Sequence, residues 1–181
     1  LPGSAAGVGG RLLRKPRRRP SMTPFVPRAR SWVSMGMRDV PVDALQAALA
    51  AEHAAVWVYG LAGAFLPDRL SGQLREAAGA HQARRDATER MLIDARAQPV
   101  PAEPGYLTPE PVTDAASALR LVITAETDVA AAWRSVVERS PADPVLRTAA
   151  LDALTQAAVR ATRWRAVAGI TPLTVPFPGA P

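Results

Sequence analysis

The sequence predicts an all-α chain folded as a four-helix bundle in up-down-down-up order, and three observations lead there. Apolar residues recur at helical spacing in four long segments, 43–66, 68–98, 113–140 and 143–169. No segment reads convincingly as a strand. The second and third segments are joined by a proline-rich stretch, 99–112, while the other breaks are short.

Each segment carries its own punctuation. Asp43 stands where an N-cap is expected, Pro67 breaks the first pair, and Pro141 with Pro144 brackets the second break. In polyproline II the 99–112 stretch reaches roughly 40 Å at ~3.1 Å per residue, the length of a helix of about 27 residues. It can therefore run the full height of a bundle. A long crossover there, with tight turns elsewhere, sets the predicted helix order. Beyond Gly169, residues 170–181 are rich in proline but carry Leu173, Val175 and Phe177, so an extended tail lying against the bundle is expected.

The charge is unevenly placed. Residues 1–40 hold nine of the 22 basic residues and one acid, Asp39, a net +8, whereas the rest of the chain nets −2 of the overall +6. Gly, Pro, Ser and Arg dominate that first stretch without periodicity, which predicts a disordered basic tail preceding a domain at 41–181. Met22, Met35 and Met37 lie nearer the domain than Leu1, so a start set too far upstream stands as one origin of the tail, beside an inert tail or an arm for nucleic acid or acidic surfaces. Nucleic acid is not an expected partner, because the basic charge belongs to the tail and not to the domain.

With no cysteine, disulfides, thiolate metal sites and cysteine nucleophiles are excluded. The most apolar run, 54–66, is too short for a span of about 20 residues. A cytoplasmic protein with no membrane segment is expected. Neither a Gly-rich phosphate loop nor a Gly-x-Ser-x-Gly elbow is present.

Chemistry concentrates in the helix seams. Helix one places Leu45, Leu49, Glu52, Val56, Tyr59, Gly63 and Leu66 at alternating steps of four and three, so one acid interrupts a non-ionic stripe. Helix three repeats this with Leu119, Val122, Glu126, Val129, Trp133 and Val136. Ala51-Glu52 followed by Val56 and Tyr59 aligns with Ala125-Glu126 followed by Val129 and Trp133, which reads as an internal two-helix repeat. Glu52 lies 15 residues before Pro67, His81 14 after it, and Glu126 13 past Thr113. At about 1.5 Å per residue all three fall at one level near mid-bundle.

The string Ala51-Glu52-His53-Ala54-Ala55-Val56-Trp57-Val58-Tyr59-Gly60, then His81-Gln82-Ala83-Arg84-Arg85-Asp86, then Ala125-Glu126 with Trp133 and Trp164, resembles the ferritin-like superfamily. Within it, the chain is similar to an actinobacterial family of ferritin-like domains of unassigned function, over about 42–178. The resemblance implies a di-iron or di-manganese centre built from a Glu on each of two helices and a Glu-x-x-His on each of the others. This chain departs from that pattern. Helix two reads Ala78-Gly79-Ala80-His81, and helix four Ala157-Ala158-Val159-Arg160, so at most Glu52, His81 and Glu126 survive of six ligands. Arg160 occupies a histidine's place in the repeat.

The expected arrangement is a buried polar network in which Glu52 and Glu126 are neutralised by Arg85, Arg160 or His81, with Arg160 binding in bidentate fashion. No cofactor is then needed, and the chain acts as a structural or partner-binding protein. The alternative is an oxidoreductase holding one Fe, Mn or Zn ion at Glu52, His81 and Glu126. His53, about 100° round the helix from Glu52, is expected at a surface or interface. Tyr59, Trp57, Trp133 and Trp164 are expected to pack. Helix one is apolar nearly all round from 54 to 66, which calls for cover by the C-terminal tail or by a second subunit. A homodimer through helix one is the expectation.

Overall fold

In the computed structural model residues 40–180 are described, and the tail of 1–39, with every reading made of it, lies outside them. Four helices account for the ordered elements: α1 (Val42–Ala62), α2 (Ser71–Asp94), α3 (Ala115–Arg139) and α4 (Pro144–Ala168). Among the described residues there is no strand. A 3-10 turn at Asp68–Leu70 leads into α2.

Helix ends follow local chemistry, and those of α1 and α2 differ from expectation by up to four residues. Asp43 is not the N-cap of α1; Pro41 is, and Asp43 sits within the first turn, where its charge complements the helix dipole. α1 ends at Ala62 and not at 66, its carbonyl accepting the amides of Phe65 and Leu66 in a closing turn before Pro67. The start of α2 moves from 68 to Ser71 because Asp68–Leu70 winds as the tighter 3-10 turn. α2 stops at Asp94, four residues early. There Arg96 takes a left-handed conformation at φ 60°, and its amide bonds Ile93 while the amide of Ala97 bonds Leu92. That is a Schellman closure built on a non-glycine residue. Gly169, at φ 67°, closes α4 the same way, with Ile170 bonding Arg165. Asp114 caps α3 in a reciprocal box with Ser117, and Asp143 caps α4 ahead of Pro144.

α1 and α3 form the central pair, with α2 packed on α1 and α4 on α3. The core divides into two apolar clusters. One is built on Leu45, Leu49, Leu92, Val136 and Leu146, the other on Val58, Ala62, Leu119, Val122 and Trp164. Along α3 the division falls between Ala125 and Val129, which is where Glu126 sits. A polar layer therefore lies at mid-bundle between two oily ones.

The long connection between α2 and α3 covers the outer face of α1. Gln46 binds it from both sides, donating to the carbonyl of Gln98 at 2.6 Å and accepting the amide of Val100 at 2.8 Å. Trp57 lies against Tyr106, ring centres 5.6 Å apart. Of the chain's own segments it is thus the crossover, and not the C-terminal tail, that lies against this face. The tail instead crosses α3, where Gly179 approaches so closely that a Cβ would stand 2.6 Å from the carbonyl oxygen of Ala130. No helix of the described residues is long and apolar enough to cross a membrane.

Replacing Asp114 by Ala removes the carboxylate that accepts the Ser117 amide and hydroxyl, and leaves only the backbone half of the α3 capping box. The expected loss is about 1 kcal/mol, read as a lower urea midpoint with an unchanged slope.

Candidate functional site

Glu52 and Glu126 are both fully buried, and so is His81 between them. Nδ1 of His81 lies 2.7 Å from Oε2 of Glu52, and Nε2 lies 3.1 Å from Oε1 of Glu126. A carboxylate can only accept, so both ring nitrogens must donate, which requires the imidazolium. The ring spans the space between the two carboxylates.

The remaining partners repeat the symmetry of the sequence. Trp133 Nε1 donates to Glu52 Oε1 at 2.7 Å, and Tyr59 Oη donates to Glu126 Oε1. Each acid is thus held by an aromatic seven residues beyond the other acid, which makes α1 and α3 antiparallel and fixes their register. Trp164 Nε1 in turn donates to Tyr59 Oη at 2.8 Å. From α4, Arg160 Nε donates to Glu126 Oε1 at 2.7 Å. The contact is one bond and not the bidentate pair expected, because the second guanidinium nitrogen, Nη2, and Glu126 Oε2 are both buried without a protein partner.

Two sequence expectations change here. Arg85 does not join the network; it donates twice to its neighbour Asp86 and is part exposed. Arg84 is the inward residue, its Nε 3.8 Å from Glu52 Oε1 and its guanidinium 5.9 Å from the centre of the Trp133 ring. Both arginines lie within one turn of His81, and packing against Trp133 decides between them. His53 is not a surface residue: it is 7% exposed, with Nε2 3.2 Å from the carbonyl of Val100 in the crossover and 3.7 Å from Glu89. The residues missed as network members are Tyr59, Trp133, Trp164 and Arg84. The signal for the first two was present, since a hydrogen-bonding aromatic stands seven positions after each seam acid.

The donor set fits a metal poorly. An imidazole ligand must offer a bare nitrogen lone pair, and here both nitrogens are spent on the carboxylates that would share the ion. Among the described residues no group of three or more His, Cys, Asp or Glu side chains is placed to hold a metal ion.

Residues 44–181 match a family described as a domain of unknown function, DUF4439. The chain belongs to the DUF4439 family. Among solved structures, the domain is similar to the conserved hypothetical protein Rv2844 from Mycobacterium tuberculosis, at 40% identity and a TM-score of 0.67, over 69% of this chain and 94% of that one. No curated protein matches.

Electrostatics in this DUF4439 domain follow from burial opposed by pairing. Burial pulls the pKa of His81 down, but its bonds to Glu126 and Glu52 and their charges outweigh that, and the net shift is upward from 6.5. Burial pushes Glu126 up, yet the bond and charge of His81 and those of Arg160 bring it below 4.5. Burial, and then the charge of Glu126, drive the Tyr59 phenol far above its ordinary value, so it stays a donor.

The stabilisation from the His81 imidazolium is complete below pH 6.5 and is lost as pH rises through the raised value. That from Glu126 is complete above pH 4.5 and is lost as pH falls through the lowered value. Thermal stability should therefore be highest from about pH 4.5 to 6.5 and decline on both sides. In His81→Gln the alkaline decline should disappear, which a series of melting curves against pH will check. Separately, Trp133→Phe keeps the ring but leaves Glu52 Oε1 without its indole donor. A loss of about 1–3 kcal/mol is expected in equilibrium denaturation.

Proposed function

We propose that this DUF4439 domain is a ferritin-like bundle, in up-down-down-up order, in which a fixed ion-pair network stands where a dinuclear metal centre would be. On this reading the domain works without a metal, as a structural or partner-binding protein and not as an oxidoreductase. The observation that carries it is the position of His81, whose ring lies between Glu52 and Glu126 with both nitrogens engaged. A cation bound between those carboxylates would have to displace the imidazolium. Arg160 and Arg84 add further positive charge to the same layer. The cysteine-free sequence favours a cytoplasmic location.

Protein purified without chelator should contain well under one iron, manganese or zinc per chain by elemental analysis. Its melting temperature should be the same with and without EDTA or added Mn²⁺. Stoichiometric metal would overturn the proposal.

One observation favours a second reading. Glu126 Oε2 is buried and lacks a protein partner, as an oxygen awaiting a ligand would be. An Fe, Mn or Zn ion there would need Glu126, Glu52 and one freed nitrogen of His81. In that case Glu52→Ala and Glu126→Ala would each abolish metal binding while circular dichroism still reports a helical chain.

A further inference from the structure

Away from the polar layer, the C-terminal tail roofs a cavity of about 710 Å³ against the outer face of α4. Leu151, Leu154 and Ala158 form its floor, and Val175 and Pro178 belong to the roof. Thr127 and Thr162 also line it, but their hydroxyls bond the carbonyls of Ile123 and Ala158, so neither is left as an unpaired polar group. Thr155 and Thr174 add two exposed hydroxyls to an otherwise largely apolar lining. Its size lies within the range of about 300–1,000 Å³ typical of small-molecule sites.

The polar part of the lining has one sign. Arg163 and Arg165 border the cavity, and no acidic side chain does. Among the described residues neither guanidinium has a hydrogen-bond or ion-pair partner. A half-open apolar groove bordered by two guanidiniums without ion-pair partners suits a hydrocarbon body carrying a single anionic head. Charge also argues against the chain's own N-terminal stretch as the occupant, because residues 11–30 are arginine-rich and would meet the same sign.

We infer that the space between α4 and the C-terminal tail is a binding site for a long-chain carboxylate, its chain against Leu154 and Ala158 and its head met by Arg163 or Arg165, which border the groove from opposite sides of α4. This site is independent of the Glu52–His81–Glu126 network, so it stands or falls apart from the metal question.

The full chain, stripped of lipid on a hydrophobic resin, is titrated with cis-parinarate, a fluorescent 18-carbon carboxylate. Saturable binding of one probe per chain is expected, displaced by oleate and at least tenfold less well by uncharged oleyl alcohol. Ala158→Phe fills the floor and should abolish binding. Arg163→Ala with Arg165→Ala, one exposed and one half-buried, should weaken it about tenfold, the equivalent of 1.4 kcal/mol. Melting curves and circular dichroism confirm that the variants fold, and the arginine pair decides the matter if Ala158→Phe does not. The inference is overturned by absence of saturable binding, by equal competition from oleyl alcohol, or by unchanged affinity in the folded arginine variant.

Discussion

Everything in this bundle is arranged around one constraint: two carboxylates lie at zero exposure in the middle of an otherwise apolar seam. Leaving either uncompensated would cost several kcal/mol, enough to unfold a domain of ordinary stability. The chain meets this with an imidazolium reaching both acids from α2, a guanidinium from each of α2 and α4, and three aromatic side chains that donate directly or through one another. All four helices are thereby committed to one layer. A slip of one turn in α1 against α3 would part Glu52 from Trp133 and Tyr59 from Glu126 together. Such a network sets register more than it adds stability, since its attraction is largely consumed by desolvation.

The same layer shapes the side of the bundle where α2 faces α4. Arg84 and Arg160 are long, and housing them at mid-height keeps those two helices from close packing. They meet through Arg84 Nη2 and Gln156 Oε1 at 2.7 Å, and a cavity of about 280 Å³ remains nearby, floored in part by Arg160 and Trp164. On the α1–α3 side the helices pack more closely. Alanines and leucines there let the backbones approach, as Ala48, Leu49, Ala130 and Val136 do at full burial.

Much of this was legible in the sequence because helical period and proline placement are local signals. Four helices, the long second connection and the shared level of Glu52, His81 and Glu126 follow from counting residues. What counting does not supply is direction around a helix to better than one turn. Arg84 and Arg85 are equally near His81 by spacing, and only the Trp133 ring selects the first. The burial of His53 does not follow from α1 alone, because the crossover supplies its cover, and Gln46 with His53 holds that crossover down. The end of α2 was misplaced for a different reason. A left-handed Arg96 carries none of the glycine signal that normally marks such a closure.

The internal repeat breaks down on the outside of the bundle. In the first hairpin, the exposed face of α1 is closed by the crossover through side-chain hydrogen bonds from Gln46 and His53. Over the second hairpin, residues 171–180 make no hydrogen bond to the helices among the described residues, and their tightest anchor is the approach of Gly179 to Ala130. A segment held by few contacts opens at lower cost than one tied by a hydrogen-bonded network. This looser side carries exposed apolar side chains, Leu151 and Val159 on α4 and Val175 and Phe177 in the tail. The side of the bundle that the tail covers is thus held by fewer hydrogen bonds than the side covered by the crossover.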